Sequence, residues 1–304
     1  MERRTNLGVC TWLFGDLPLA EIARRVKALG FDGVELMGDL EHYQPREAAG
    51  ILRDHGLAVL SLTPADMDLA HPDPAIRSAA IDYFLRLLDF AAAIVCTPAA
   101  TGGLRSTASA VSCAPPSGQA QGSAGIDHPL VGCHGLVGRV RAISTQAEER
   151  AVFVQAVRQI AERARPLGLH LVMEVLNRYE AHLLNSAAEA VQFVADVGAE
   201  NVGILLDAYH MNIEEANPAD AIRQAGKRLG LYHVADSNRQ GIGRGHTDFH
   251  AQLAALTDID YEGPIILECT APGPDPFSAI KGPDSLGWLE AYLGESREWL
   301  AGRG

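Results

Sequence analysis

Short apolar runs alternate along the chain with segments whose apolar residues recur at helical spacing, and this alternation restricts the fold more than any other feature of the sequence. The runs have the length of ordinary β-strands, and the longer segments between them have the length of helices. The predicted strands cover residues 6–13, 33–37, 57–62, 129–133, 170–174, 202–207, 231–234 and 264–268. The predicted helices cover residues 19–29, 46–55, 73–93, 145–167, 187–197, 218–229, 250–256 and 284–300. The pattern therefore predicts a succession of βα units.

The predicted strands are continuously apolar rather than alternating, which indicates a parallel sheet covered by helices. A closed (β/α)8 barrel and an open doubly wound sheet both satisfy this requirement. No Gly-x-Gly-x-x-Gly motif follows the first strand, and ligand-type residues end four successive strands, which favours the closed ring. We therefore predict an α/β fold, a TIM barrel formed by a single domain over residues 1–304. An Ala-, Ser- and Gly-rich insertion at about 96–127 interrupts it between the third helix and the fourth strand.

Composition and charge limit the possible partners and the location of the protein. The formal net charge of -13, from 25 Lys and Arg against 38 Asp and Glu, disfavours binding to a phosphate backbone, so we expect no nucleic-acid partner. The five cysteines are scattered and form no Cys-x-x-Cys pair, as suits a reducing compartment. The first apolar patch ends at Asp16, too early for a signal peptide, and no apolar run reaches membrane-spanning length. We expect a cytoplasmic protein with no membrane association.

Metal-ligand side chains end the last four predicted strands. In a barrel these positions meet at the C-terminal rim, where chemistry collects. One such residue alone is well explained as a helix N-cap or a satisfied polar side chain, but four at equivalent points indicate a shared site. Three carboxylates and one imidazole suit Mn²⁺, Mg²⁺ or Co²⁺ better than a structural zinc. These residues are Glu174, Asp207, His233 and Glu268.

Three other acidic residues, Glu35, Glu214 and Asp236, also lie near predicted rims. We interpret them as helix caps or as partners of the ligands rather than as ligands themselves.

The second half of the chain resembles the D-tagatose/D-psicose 3-epimerase group of the xylose-isomerase-like barrels. The resemblance is dense from about residue 168 to 270 and looser in the first half, where it depends on Gly33-Val34-Glu35 and on residues 68–73. The most specific element is an Asp-x-x-His-Met-Asn-Ile-Glu-Glu string. The matching segments are Met173–Glu180, Leu206–Glu215, His233–Arg239 and Leu267-Glu268.

The resemblance implies a metal-dependent epimerase that inverts C3 of a free ketose through a cis-enediolate. It implies that Glu174, Asp207, His233 and Glu268 bind one divalent metal, with Mn²⁺ first and Mg²⁺ or Co²⁺ as alternatives. By the same resemblance Glu180, His210 and Arg239 contact the sugar. Glu174 and Glu268 then act as the catalytic base and acid on opposite faces of C3. The resemblance also implies a homo-oligomer, a dimer or a tetramer.

The loop after the fourth strand departs from the epimerase pattern, because it lacks the aromatic segment that the group places over the distal carbons. Its polar residues His134, Arg139 and Arg141 are open to two interpretations, binding of an anionic substrate tail or simple solvation. The same metal site also suits an aldose-ketose isomerase or an inosose dehydratase. A non-catalytic barrel that binds sugars or DNA lesions is a further alternative, which the net charge disfavours for DNA.

Overall fold

Eight parallel strands form a closed barrel in the computed structural model, which describes residues 5–95, 129–272 and 276–302. Each strand pairs with the next along the chain, and β8 pairs back to β1 through the partners Leu7 and Ile265. The predicted TIM barrel is confirmed, while the predicted insertion at 96–127 lies outside the described residues. The strands are β1 Leu7–Cys10, β2 Gly33–Met37, β3 Ala58–Thr63, β4 Leu130–Cys133, β5 Leu171–Glu174, β6 Val202–Asp207, β7 Leu229–Val234 and β8 Ile265–Leu267.

Helices surround the barrel, and several begin at the residue type that favours a helix start. Thr145 accepts a hydrogen bond from the N–H of Glu148, and Ser186 does the same for Glu189, so each supplies an N-cap. Gly198, with φ of 68°, ends one helix in the left-handed conformation. The helices are α1 Leu19–Ala28, α2 Pro45–Asp54, α3 Pro74–Val95, α4 Gln146–Ala164, α5 Ala187–Val197, α6 Ala208–Glu214, α7 Pro218–Ala225, α8 Phe249–Asp258 and α9 Pro283–Ala301. Over the described part of the chain, no helix combines the length and apolarity needed to cross a membrane.

One local prediction was wrong, and one short helix was not predicted. The first apolar run, predicted as one strand over residues 6–13, changes at Thr11 into a short 3-10 helix, Thr11–Phe14. After Asp207, where no helix was predicted, the chain forms helix α6, which Asp207 caps through the N–H of Tyr209. Both changes occur at the C-terminal ends of strands, where the backbone turns away from the barrel.

The barrel interior is apolar towards the N-terminal ends of the strands and polar towards their C-terminal ends. Leu60 and Ile266 fill the space beside Gly8, where a Cβ would lie only 2.6 Å from Ile266 Cδ1. Such dense packing excludes a channel through the barrel. At the other end, Glu35, His233 and Glu268 are all buried. The fold thus confines polar chemistry to the C-terminal rim.

Candidate active site

The four predicted ligands lie at the C-terminal ends of four neighbouring strands. Glu174 ends β5 and Asp207 ends β6, where Asp207 is the direct strand partner of His233 in β7. Glu268 follows β8 immediately. Asp207, His233 and Glu268 are at most 5% exposed, and Glu174 is partly buried. The closed strand order therefore brings residues almost a hundred positions apart into one polar site.

Three of the four side chains present ligand atoms to a common point. Glu174, His233 and Glu268 each offer one donor atom within 4.8 Å of the others. His233 Nδ1 lies 3.5 Å from Glu268 Oε2, but no hydrogen bond is aligned to this buried nitrogen within the described part of the chain. Nδ1 is therefore positioned to bind a cation in place of its proton.

Asp207 lies beside this group, and its two carboxylate oxygens have different surroundings. Oδ1 accepts the N–H of Tyr209 at 2.8 Å and caps α6. Oδ2 is buried without a hydrogen-bond partner among the described residues, at 3.6 Å from His210 Nε2. A buried carboxylate oxygen without a partner is costly unless an ion or a proton meets it. The cap and ligand explanations of Asp207 are therefore compatible.

The electrostatics of the site favour a bound cation. Burial and then the Glu268 carboxylate raise the pKa of Glu174 well above its ordinary value, and they raise the pKa of Asp207 to about 7. Burial also acts on Glu268, but His233 and Arg239 outweigh it and lower the pKa of that carboxyl. A divalent ion would relieve the repulsion among the three carboxylates. With the buried Asp207 Oδ2 and His233 Nδ1 facing inward, the donor set fits such an ion.

Glu35 holds the other nitrogen of His233. Its Oε2 lies 3.2 Å from His233 Nε2, and Ser61 and Thr63 each donate a hydroxyl hydrogen bond to the Glu35 carboxylate at 2.6 Å. Burial disfavours a charged Glu35, but His233 and the two hydroxyls lower its pKa, so it is an ionised acceptor. Burial lowers the pKa of His233, but the carboxylates of Glu35 and Glu268 raise it well above its ordinary value, so without a bound ion the imidazole is protonated. A divalent ion at Nδ1 would displace the proton there, while Glu35 keeps the proton on Nε2.

The three predicted sugar-contacting residues form one polar network at the edge of this site. Arg239 lies 3.3 Å from Glu268 Oε2 through Nη2 and 3.5 Å from Glu180 Oε1 through Nη1. Asn177 Nδ2 donates to Glu180 Oε1 at 2.9 Å and lies 2.7 Å from His210 Nδ1. Burial, helped by Arg239, lowers the pKa of His210 to about 3, so this imidazole is neutral. The structure thus brings Glu180, His210 and Arg239 together, and it adds Asn177, which the sequence did not suggest.

The loop between β7 and α8 holds Arg239 in an unusual backbone conformation. Arg239 has φ of 59°, a region that non-glycine residues rarely adopt. The buried Asp236 organises this loop by accepting the N–H groups of Ser237, Gly243 and Thr247 at 2.7, 2.8 and 3.0 Å. Asp236 is not the cap of the following helix, since Asp248 has that role, but it shapes the loop and so fixes where the Arg239 guanidinium lies.

Aromatic side chains border the guanidinium. The Arg239 Cζ lies 4.8 Å from the ring centre of Tyr209 and 5.4 Å from that of Phe277. Phe277 in turn stacks on Trp12, with ring centres 5.9 Å apart. Phe277 is 58% exposed, so these rings form an open apolar side of the site.

Comparison with known proteins identifies the family. The profile of the xylose isomerase-like TIM barrel family matches residues 23–301. The chain belongs to this family. Among curated relatives, the D-psicose 3-epimerase of Agrobacterium fabrum is 49% identical over 123 residues, which cover 40% of this chain and 43% of that protein. The 3-dehydro-D-guloside 4-epimerase of Escherichia coli is 36% identical over 141 residues, 46% of this chain and 53% of that protein. These sequence matches thus span about half of each relative, or less.

The likeness to solved structures extends over nearly the whole length. The D-psicose 3-epimerase of Clostridium cellulolyticum H10, solved with D-tagatose, has a TM-score of 0.76 and 25% identity, with 97% of each chain covered. This chain therefore resembles a ketose 3-epimerase throughout its fold. The resemblance predicted from the strand-end motifs is confirmed.

Two of the three polar residues in the loop after β4 fit neither interpretation given for them. Arg139 is neither a free anion-binding residue nor a solvated one, because it forms ion pairs with Asp68 and Glu149 and its side chain is only 11% exposed. His134 is 5% exposed and contacts the carbonyl oxygen of Gly135 through Nδ1. Arg141 is exposed, as expected of a solvated residue.

Cys10 is a further polar neighbour of the site, and no motif in the sequence singles it out. Its thiol donates to Glu35 Oε1 at 3.3 Å and lies 3.9 Å from Glu268 Oε1. Two structural facts place it here, namely the end of β1 at Cys10 and the pairing of Cys10 with Glu35 in β2.

Proposed function

We propose that this protein is a divalent-metal-dependent ketose 3-epimerase. The principal support is geometric. Two carboxylates from non-adjacent strands, Glu174 and Glu268, meet at one point with His233, and Arg239 lies directly beside Glu268. Such an arrangement can take a proton from one face of a carbon and supply one to the other face. The names of the curated relatives point to the same chemistry.

Glu174, Asp207, His233 and Glu268 would hold the metal in this proposal. When bound, the ion acts as a Lewis acid that makes the proton α to a ketone carbonyl more acidic. Oxygen-rich donors favour Mn²⁺, and Mg²⁺ or Co²⁺ are alternatives.

The side chains of the site would transfer the protons, stabilise the developing charge and orient the sugar. Glu174 and Glu268 exchange the roles of base and acid according to which epimer is bound, so the C3 proton leaves to one carboxylate and a proton returns from the other. Arg239 donates hydrogen bonds to the carbonyl oxygen as negative charge develops on it. Glu180 and the neutral His210, positioned by Asn177, orient the hydroxyl groups near the reacting carbon.

Proton exchange at C3 tests this function. Metal-stripped protein in D₂O should not exchange the C3 hydrogen of D-fructose or D-tagatose, whereas adding Mn²⁺ should restore exchange and produce the C3 epimer, both followed by NMR. A carbonyl that moves from C2 would indicate an isomerase instead, and a rise in ultraviolet absorbance would indicate a dehydratase. The absence of exchange with every ketose tested would contradict the proposal.

Two variants test the paired carboxylates. Glu174→Gln and Glu268→Gln should each lower the exchange rate by a factor on the order of 10²–10⁴, the usual contribution of general acid–base catalysis. Glu200→Gln, which changes an exposed carboxylate just before the N-terminal end of β6, is the matched control. Equal rates in all three variants would remove Glu174 and Glu268 from catalysis.

A second candidate is 4-epimerisation of a 3-keto-glycoside, which uses the same proton transfer next to a ketone. The similarity to the 3-dehydro-D-guloside 4-epimerase favours it, as does the exposure of the aromatic side of the site at Phe277. Exchange at C4 of a 3-keto-glucoside, without exchange at C3 of free ketoses, would select this candidate.

A further inference from the structure

We propose a second metal site, selective for soft divalent ions, formed by Cys10, Glu35 and His233 directly beside the proposed catalytic centre. One donor atom from each of the three side chains lies within 4.8 Å of the other two. The thiol and the imidazole are the kinds of ligand that Cd²⁺ and Zn²⁺ prefer, whereas Mn²⁺ and Mg²⁺ prefer oxygen. Binding of a soft ion at this site is independent of the reaction that the protein catalyses. Only the expectation that such an ion inhibits the enzyme rests on the proposed function.

The barrel fixes these three residues with little freedom. Cys10 in β1 and Glu35 in β2 are direct strand partners, so their side chains share one level of the barrel interior. Cys10 Sγ lies 3.3 Å from Glu35 Oε1, and His233 Nε2 lies 3.2 Å from Glu35 Oε2. The three side chains are 0%, 1% and 2% exposed, respectively. The donors are preorganised, which lowers the entropic cost of binding an ion.

The site requires a defined exchange of protons. A soft ion displaces the thiol proton of Cys10 as the sulfur–metal bond forms, and that proton leaves to the buffer. The ion also replaces the proton on His233 Nε2, which leaves to the buffer, while Nδ1 keeps its own proton. Glu35 exchanges its contacts with the thiol and the imidazole for a bond to the ion.

This exchange makes the two metal sites mutually exclusive. A neutral imidazole has one free lone pair. When Nε2 binds a soft ion, Nδ1 carries the proton and can no longer bind an ion shared with Glu174 and Glu268. A soft ion at Cys10 would therefore remove a ligand from the proposed catalytic centre without occupying it.

Two other cysteines provide controls for the thiol. Cys133 ends β4 and Cys269 lies in the segment after β8, and both are buried, yet neither belongs to a ligand cluster among the described residues. Cys133→Ser therefore changes a buried thiol at an equivalent barrel position while keeping all three proposed ligands.

Titration of the metal-stripped protein with Cd²⁺ tests the site. The wild-type protein and Cys133→Ser should develop an ultraviolet sulfur-to-cadmium charge-transfer band that saturates at one ion per chain, and Cys10→Ser should not. Far-ultraviolet circular dichroism checks that each variant is folded, and Cys10→Ala replaces Cys10→Ser if the serine variant fails this check. A band that persists without Cys10, or no band in the wild-type protein, would overturn the proposal.

Competition between ions tests the shared histidine. The electron paramagnetic resonance signal of free Mn²⁺ should appear as Cd²⁺ is added to Mn²⁺-loaded protein. In Cys10→Ser the Cd²⁺ needed for half-displacement should rise by roughly tenfold or more, the scale on which losing a contributing side chain weakens a metal site. An unchanged midpoint would contradict the proposal. Neither experiment contains a sugar, so failure of the proposed epimerase activity is distinguishable from failure of this site.

Discussion

The contact between Glu35 and His233 determines which imidazole nitrogen is available to a metal. Glu35 is ionised and is held by two hydroxyl donors, so it fixes both the ring orientation and the tautomer of His233. Partners of this kind are common behind metal-binding histidines, and they increase the basicity of the ligand nitrogen.

Glu35→Gln should weaken Mn²⁺ binding by about 10- to 100-fold, because an amide accepts the Nε2 proton less strongly and can also turn its NH₂ group towards the ring. Isothermal titration calorimetry on metal-stripped protein measures the affinity. Glu41→Gln, on an exposed turn before α2, serves as the control and should bind like the wild-type protein. An unaltered affinity in Glu35→Gln would show that the contact with His233 is only structural.

Sequence reasoning could place some site residues but not others. Glu174, Asp207, His233 and Glu268 stand out because each ends an apolar strand, a local feature that is visible in the sequence. Glu35 also stands out near a predicted rim, but its contact with His233 and the neighbouring Cys10 become visible only when β1, β2 and β7 are placed around one barrel. Asn177 likewise acquires a role only when the loop after β5 meets α6.

At the level of the elements, a buried charged cluster joins the loops that follow β3, β4 and β5. Arg139 pairs with Asp68 at 2.8 Å and with Glu149 at the start of α4, and His182 Nε2 lies 2.8 Å from Glu149 Oε2. Burial alone would raise the pKa of Glu149, but Arg139, the backbone N–H groups of Ser144 and Ile143, and His182 lower it to about 2.

Loss of the Glu149 charge should therefore destabilise the fold. The folded-state pKa lies below the ordinary value of 4.5, so this stabilisation is complete above pH 4.5 and is lost as the pH falls towards 2. The difference corresponds to about 3 kcal/mol. Glu149→Gln should lower the free energy of unfolding in urea by about this amount at pH 7, with a smaller difference at pH 3. Asp258→Asn, which breaks the exposed pair with Arg223, should cost at most about 1 kcal/mol. Equal losses in the two variants would contradict the importance of burial.

The turn after β1 supports the segment that bears Phe277. Gly15 has φ of 63°, and a Cβ there would lie 1.9 Å from the carbonyl oxygen of Ala279, which accepts the N–H of Asp16. Gly15→Ala should displace this segment and with it the Phe277 ring beside Arg239. If the proposed epimerase activity holds, kcat/KM should fall by roughly tenfold or more.

Gly226→Ala separates the displacement of a neighbouring segment from the backbone strain that a side chain adds at a positive φ. Gly226 also has a positive φ, of 55°, but beyond its chain neighbours no atom of the described residues lies within 4 Å of the position that a Cβ would take. Only backbone strain is therefore added. For this reason kcat/KM should fall more in Gly15→Ala than in Gly226→Ala. The same kcat/KM in both would mean that the position of Phe277 is unimportant.

Most elements could be predicted because apolar periodicity and caps are local properties. The ends of the eight strands and of the helices between them lie within a few residues of the predicted ends. Helix α6 could not be predicted in this way, because its seven residues are too few to show a period. Its formation depends on the Asp207 cap and on packing of Met211 in the core.

For the whole molecule, barrel closure separates the two ends of the strands. The candidate site lies at the C-terminal ends, whereas each connection from a helix back to the next strand lies at the N-terminal ends. Helix α3 ends at Val95 and β4 begins at Leu130. The junction that includes residues 96–127 therefore joins elements at the face opposite the site.

Replacing residues 98–126 by a short Gly-Ser linker should leave the site functional. Connections from a helix to a strand in such folds need only about 2–6 residues, so the barrel can close without this segment. We expect Mn²⁺ affinity and kcat/KM within about threefold of the full chain, because the end of α3 and the start of β4 lie at the face opposite the C-terminal rim. Replacing residues 238–244 instead removes Arg239 from the C-terminal face and should abolish turnover while the protein remains folded. Loss of Mn²⁺ binding in the first variant, with native circular dichroism, would show that the segment contributes to the site across the barrel.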